Sequence, residues 1–139
     1  MKLTSTQNMK AKSGMTLLEL TVVILVLLSL ISILFVGARA WKKGSDRAAN
    51  IMNIRNVQQA VRGQQNMRGL AVDALLPEAS IVGDAGFLKN PTPPDTGIIY
   101  AGKYRGTVPA SGVLYLDPTY TAPLIASDYH PEADAIAQW

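Results

Sequence analysis

The chain has no cysteine, one histidine and two phenylalanines in 139 residues. Without cysteine, disulfides and thiol chemistry are excluded, and a single histidine leaves few ligands for transition metals. Any arrangement of nucleophile, base and acid would depend on His130 alone, which lies in the polar segment DYHPE. We therefore expect no enzyme and no catalytic residue, and we assign His130 to a solvated tail.

Excess charge is also largely missing from the chain. Thirteen basic and ten acidic residues give a net charge of +3, but Lys2, Lys10 and Lys12 all precede Gly14, so the remainder is balanced. The basic pI is therefore a poor argument for nucleic-acid binding. Within the remainder the charge is uneven, because residues 39–68 carry seven basic residues against one acid while residues 69–139 carry three against eight.

What the chain does have is a long apolar run. Residues 20–38 contain no charged side chain, and as a helix they would span roughly 28 Å, about the thickness of a hydrocarbon core. Glu19 lies at the entrance of this run, where an ionised carboxylate is costly unless a partner neutralises it. A basic leader that ends at the small residue Gly14 precedes it. These features predict a membrane-length helix with a processing site before it.

The string GMTLLE at residues 14–19, between a basic leader and an apolar helix, resembles the class III signal of type IV prepilins and type II secretion pseudopilins. The resemblance implies that a prepilin peptidase cuts between Gly14 and Met15 on the cytoplasmic side and that the new N-terminus is then methylated. It also implies that helices assemble into a filament in which Glu19 of one subunit pairs with the amine of Met15 of another. The residues it assigns to assembly are Met15, Thr16, Leu17, Leu18 and Glu19.

Two positions depart from the family pattern. The family prefers phenylalanine where this chain has Met15, and many members carry a proline where this chain has Val36 and Gly37. Without that proline, no kink is expected at this point of the helix. The alternative interpretation is an uncleaved single-pass protein with one acid near the membrane interface.

Beyond the apolar run, the helix is expected to continue to about residue 65. Apolar side chains recur there at spacings of three and four, with polar side chains on the other faces, which predicts an amphipathic stem. Trp41, Lys42 and Lys43 follow the apolar run directly, as expected of an anchor at the membrane interface, although packing between stems would suit Trp41 equally. Asn50 and Gln58 are assigned to the polar faces.

The remaining residues, 69–139, predict a small head. We expect a short helix at 77–82, a strand at 97–104 paired antiparallel with one at 112–116, a third strand around 124–125, and a tail from residue 127 that straps across the head. Phe87 and Leu88 are expected to plug the head against the stem. The whole is an α+β, pilin-like chain with a leader (1–14), a transmembrane and assembly helix (15–38), a stem (39–68) and a head (69–139).

No cofactor is predicted, although calcium stays open as an alternative. Some pseudopilins hold calcium in a loop, but the acids here match no specific loop motif. The acids that would supply oxygen ligands are Asp117, Asp128, Glu132 and Asp134.

The resemblance implies a structural subunit of a type IV pilus or of a type II secretion-like pseudopilus. Its expected partners are other copies of the chain in a helical filament, the prepilin peptidase that also methylates, the inner-membrane assembly machinery, and lipid before assembly. We expect a bacterial inner-membrane location with a cytoplasmic N-terminus, and after processing a periplasmic or cell-surface filament. A membrane-anchored binding module that never polymerises and a DNA-binding, competence-type pilin are the alternatives.

Overall fold

A computed structural model describes Gly14 and residues 16–139 of the chain. Its elements are one long helix, α1 (Leu17–Arg68), a 3-10 turn at Glu78–Ser80, two strands, β1 (Ile98–Ile99) and β2 (Thr119–Tyr120), and two short helices, α2 (Ala126–Tyr129) and α3 (Ala133–Ile136). The chain divides into two units, Met1–Arg39 and Ala40–Trp139. A long apolar N-terminal helix and a small antiparallel sheet are therefore confirmed, in keeping with an α+β chain.

The helix α1 ends at Arg68, the last residue of the predicted stem, and its end has a clear cause. Gly69 follows Arg68 with a φ of 63°, in the left-handed region that glycine adopts without steric cost. The N–H of Leu70 then donates to the carbonyl of Gln65 at 3.0 Å, which is the bond of a Schellman motif. This motif satisfies a carbonyl that the helix end leaves free.

The second unit is built on one face of α1. Ile54, Val57 and Val61 are fully buried, at the spacing of three and four that the sequence shows. Each such side chain contributes roughly 1.5–3 kcal/mol when it leaves water. The head supplies the rest of this core, chiefly Leu76, Ile81, Val82, Ile98, Tyr100, Val108, Leu114, Tyr115, Leu116, Tyr129 and Ile136.

The head is held together by several short ladders in place of one extended sheet. β1 and β2 are antiparallel, with Ile98 opposite Tyr120. Separate antiparallel bridges join Leu75 to Thr107 and Tyr104 to Leu116. The predicted strand at 97–104 therefore pairs with 119–120 at its start, beyond the predicted partner, and keeps the predicted antiparallel pairing with 112–116 only at its end, through the Tyr104–Leu116 bridge.

Three further expectations for the head are wrong. The helix predicted at 77–82 is only a 3-10 turn, because Val82 is taken by a bridge to Leu88. No strand forms at 124–125, where the chain enters α2. Phe87 does not plug the head against the stem, since 57% of it is exposed, although Leu88 packs on the core.

Three polar residues of α1 are buried, namely Asn50, Gln58 and Gln64, and the first two were expected on the polar faces of the stem. Asn50 donates through Nδ2 to the carbonyl of Tyr129 at 2.9 Å and to the hydroxyl of Tyr120 at 3.1 Å, and it accepts from the hydroxyl of Tyr100 at 2.7 Å. Gln58 is 1% exposed and bonds the head backbone. Because buried polar groups must be paired, these side chains replace apolar contacts with directional ones.

Candidate functional site

The predicted processing site is only partly described. Gly14 is exposed, and a Cβ added there would meet no heavy atom within 4 Å. Met15 and the leader before Gly14 lie outside the described residues. The backbone at Gly14 is thus open to close approach by another protein.

Thr16 and Glu19 cap the start of α1 with each other. The backbone N–H of Thr16 donates to Oε2 of Glu19 at 3.3 Å, and the backbone N–H of Glu19 donates to Oγ1 of Thr16 at 3.3 Å. This reciprocal pair is a capping box, in which two of the free N–H groups at a helix start are satisfied. The carboxylate of Glu19 is thereby held beside the residue that follows Met15 in the chain. The spacing T-x-x-E before an apolar run is the sequence signature of such a box.

The next part of α1 presents an apolar surface. Leu17 and Leu18, two of the predicted assembly residues, are 82% and 75% exposed, and the large apolar side chains as far as Val36 are exposed as well. In the part of the chain that the structure describes, α1 is the one helix long and apolar enough to cross a membrane. An exposed apolar surface of this length is typical of a segment that lipid or protein covers.

The hydroxyl groups on this surface are satisfied within the helix. Thr21 donates to the carbonyl of Leu18 at 2.8 Å, and Ser29 donates to that of Val26 at 2.7 Å. Ser32 does the same to the carbonyl four residues before it. Because a hydrocarbon core offers no hydrogen-bonding partner, this internal pairing would let the three hydroxyls enter such a core at low cost.

The predicted interface residues lie at the start of the second unit. Trp41 is 80% exposed, as an interfacial anchor requires. Lys42 donates from Nζ to Asp46 at 2.7 Å and to Asp95 at 3.3 Å, and Lys43 donates to Asp128 at 2.7 Å. The two lysines therefore contact head carboxylates of the same chain.

These contacts shift the protonation of the groups involved. The hydrogen bond to Asp46, and then that to Asp95, raises the pKa of Lys42. The hydrogen bond to Asp128 raises the pKa of Lys43. For Asp95 the largest cause is the backbone N–H of Gly97, which donates at 2.9 Å and holds the pKa of the carboxyl below its ordinary value; Lys42 acts in the same direction.

Stem cations further along α1 are also engaged with the head. Arg47 lies 3.6 Å from Glu132, and Arg62 donates to the carbonyls of Pro109 and Ala110 at 2.8 and 3.2 Å. The guanidinium of Arg55 lies 6.0 Å from the ring centroid of Trp139. The basic stem therefore serves as a set of attachments for the head.

The four acids named as possible calcium ligands have different surroundings. Asp128 and Glu132 face stem cations, and Asp117 lies 3.3 Å from Nε2 of His130. Asp134 is exposed on α3. Within residues 16–139 and Gly14, no group of three His, Cys, Asp or Glu side chains is placed to hold a metal ion. His130 is half-buried, more enclosed than a solvated tail would be.

No family model, curated protein or solved structure matches this chain. The likeness to prepilins accordingly rests on the motif at residues 14–19 and the helix that follows it.

Proposed function

We propose that the chain is a structural subunit of a type IV pilus or of a type II secretion-like pseudopilus, made with a leader, cut after Gly14 by a prepilin peptidase and polymerised through α1. It begins as a single-pass protein of the bacterial inner membrane with its N-terminus in the cytoplasm. After processing it becomes part of a periplasmic or cell-surface filament. Its head is pilin-like and forms the outer wall of that filament.

The observation that carries the proposal is the bare apolar surface of α1 from Leu17 onward, with every described hydroxyl on it bonded to its own helix. Such a surface is compatible both with lipid and with a bundle of identical helices. Since both environments are apolar, the exchange of one for the other yields little hydrophobic gain. Packing and polar contacts must then specify the assembled register.

Glu19 is the group suited to specify that register. Cleavage after Gly14 creates a positive amine on Met15 at the membrane, and a carboxylate that neutralises it forms a short charge-assisted pair. The capping box holds the Glu19 carboxylate at the start of its own helix, at the backbone N–H of Thr16, the residue next to Met15. The Glu19 carboxylate of a neighbouring subunit can pair with the same amine when the starts of the two helices lie at the same height.

The attachments of the head suit a subunit that is pulled out of a membrane. Lys42, Lys43 and Arg47 each contact a different acid of the head, and Asn50 is bonded to three tyrosines. Because these contacts lie within the first turns of the second unit, the head stays on its stem while the apolar part of α1 exchanges lipid for protein.

The test is the intact mass of the full chain recovered from membranes and from sheared surface material of cells that express a prepilin peptidase. A mass equal to residues 15–139 plus one methyl group is expected, in an oligomeric fraction. The same mass in the sheared fraction identifies a surface pilus, and its confinement to the periplasmic side identifies a pseudopilus.

A full-length mass found only in membranes would overturn the proposal and favour a membrane-anchored binding module. A processed chain that sediments only as a monomer, in cells with a working assembly machinery, would favour the same module. Chemical cross-linking before lysis separates these outcomes, because a filament gives a ladder of regular mass steps.

A further inference from the structure

The head segment of residues 121–127, here called the 121–127 segment, ends beside the first residues of the second unit. Asp128 follows it directly, and the carboxylate of Asp128 accepts from Nζ of Lys43 at 2.7 Å. Lys43 is two residues beyond Trp41, which is roughly 3 Å along a helix axis. The segment therefore ends about one lysine side chain away from the stem, near the level of Trp41.

The other end of the segment is fixed to a second connection of the head. The N–H and the hydroxyl of Thr121 both donate to the carbonyl of Gly97, at 2.9 and 3.2 Å. A Cβ on Gly97 would lie 2.7 Å from Cδ1 of Leu124, so glycine is what permits this close packing. Asp95, two residues before Gly97, accepts from Nζ of Lys42 at 3.3 Å. Both connections are thus held at the same turn of the stem.

The 121–127 segment carries no charge of its own, and the carboxylates on either side of it are paired. Residues 118–127 contain no charged side chain. Asp128 along the chain and Asp95 on the neighbouring connection each lie in an ion pair with a stem lysine. Because anionic lipids repel an unpaired carboxylate, this pairing lowers the cost of bringing the segment to a membrane surface.

The exposed side of the segment is apolar. Ile125 is 61% exposed, and Trp41 on the stem is 80% exposed. The other exposed residues of the segment that lack a hydrogen-bonding side chain are Ala122, Pro123 and Ala126. Exposed tryptophan at the end of an apolar span is typical of the headgroup region of a bilayer. Since the segment reaches the level of Trp41, lipid is the cover that its composition fits.

We propose that the 121–127 segment rests on the surface of the bilayer that α1 crosses, with Ile125 among the lipid headgroups at the level of Trp41. The apolar run ends at Ala38, three residues before Trp41, so the headgroups and the segment share one level. The contact holds the head at the membrane until assembly draws the chain out of lipid. This inference rests on the membrane-bound stage of the proposed function and needs neither cleavage nor polymerisation.

A fluorescent label tests the contact, because the chain has no cysteine of its own. The full chain with Ile125→Cys, labelled with nitrobenzoxadiazole, is inserted into vesicles of phosphatidylethanolamine with a minority of phosphatidylglycerol, so dilute that most vesicles hold a single chain. Val72→Cys is the matched control, because Val72 is apolar and exposed but follows the far end of the stem, roughly 40 Å from Trp41 along α1. A nitroxide on the lipid headgroup should quench the label at residue 125 at least threefold more strongly than the label at residue 72.

The role of the native Ile125 is tested from a neighbouring position. With the label on Ala122→Cys, Ile125→Ser should lower the quenching at least threefold, while Phe87→Ser, at an exposed apolar residue of another loop, should leave it unchanged. Lys43→Gln leaves Asp128 unpaired. It should therefore lower the quenching more in vesicles that contain phosphatidylglycerol than in vesicles of phosphatidylcholine alone.

Equal quenching at residues 125 and 72 would overturn the inference. Quenching that appears only when several chains share a vesicle would overturn it as well, because a second copy would then bring the segment to lipid or cover it.

The failure of this contact is distinguishable from failure of the filament. If cells yield processed oligomers but the label at residue 125 is quenched no more than its control, the inference is wrong and the filament proposal survives. A quenched label on a chain that cells never process would refute the filament and leave the lipid contact standing. If the chain does not float with vesicles, both are wrong.

Discussion

The side chain of Gln58 serves as a strand partner for Tyr115. Its Oε1 accepts the backbone N–H of Tyr115 at 3.0 Å, and its Nε2 donates to the carbonyl of Val113 at 3.1 Å. Both Gln58 and Tyr115 are buried. An amide side chain on α1 therefore does for residues 113–115 what a neighbouring strand would do in a sheet.

Replacement of Gln58 by leucine should destabilise the head. Leucine has a similar volume but forms no hydrogen bond. The N–H of Tyr115 and the carbonyl of Val113 would then lack a partner, each at a cost of roughly 1–3 kcal/mol. We expect the free energy of unfolding to fall by about 2 kcal/mol or more. Thermal unfolding of the full chain in detergent, followed by near-UV circular dichroism, measures this. Gln59→Leu at the exposed neighbouring position is the control, and equal melting of the two variants would contradict the assigned role.

Gln58 also shows why the sequence predicted some of the head and not the rest. The apolar run GVLYL at 112–116 was predicted as a strand and forms only one bridge, at Leu116, but Leu114 and Tyr115 are buried with it, because burial follows from residue type. Its pairing was not predictable, because hydrophobic pattern does not report that a glutamine on a helix supplies the hydrogen bonds. Asn50 escaped prediction for the same reason, since asparagine on a stem helix is usually solvated.

The candidate processing site was more accessible to sequence reasoning than the head. Its features are contiguous in the chain, so that Gly14 and Glu19 could be named from the residues, and the resemblance to prepilins added Thr16. The capping box between Thr16 and Glu19 was within reach of the same spacing. The attachment of Lys43 to Asp128, 85 residues away, was not, because no local pattern encodes contacts at that separation.

Acid should loosen the head through Asp95. Its pKa is lowered from the ordinary value of 3.8, chiefly by the N–H of Gly97 and then by Lys42. A carboxyl whose pKa is depressed on folding stabilises the fold above its unfolded pKa, and this contribution is lost as pH falls through the lower folded value. Asp95→Asn keeps an acceptor for Gly97 but loses the charge, whereas Asp95→Ala loses both. We expect stability at neutral pH to decrease from the wild type to Asp95→Asn and further to Asp95→Ala.

The measurement for Asp95 is the melting temperature of the full chain between pH 7 and pH 2. Both variants should lose less stability in acid than wild type does. Added salt should narrow the gap between wild type and Asn, because the pair with Lys42 is exposed and screened over about 10 Å. A wild-type acid profile that matches that of Asp95→Ala would exclude this carboxyl as a source of the pH dependence.

Gly14→Leu should leave the precursor uncut in the membrane. A peptidase must bring its subsites close to the backbone at the cleaved bond, and glycine presents no side chain to obstruct it. Gly37→Leu is the matched control, because a Cβ there also meets nothing within 4 Å but the position lies well inside α1. Intact mass of membrane fractions should show full-length chain for the first variant and residues 15–139 for the second. Normal processing of Gly14→Leu would show that the cleavage site is not after Gly14.

Glu19 has two roles that two substitutions can separate. Glutamine at position 19 can still close a capping box with Thr16, because its side-chain oxygen accepts the same N–H, but it cannot neutralise an amine. Valine loses both functions. If the charge specifies the register of subunits, Glu19→Gln and Glu19→Val should both be cleaved and both assemble poorly.

If Glu19 acts only as a cap, glutamine should assemble like wild type and valine alone should fail. Thr16→Ala completes the comparison, because it removes the reciprocal hydroxyl at a cost of about 1 kcal/mol and leaves the carboxylate charged. We expect Thr16→Ala to assemble well, since the Glu19 carboxylate can still pair with the amine of Met15. The yield of oligomers from each cleaved variant therefore shows whether assembly depends on the charge of Glu19 or on its capping box. Efficient assembly of Glu19→Gln would show that no charge pair is needed in the filament core.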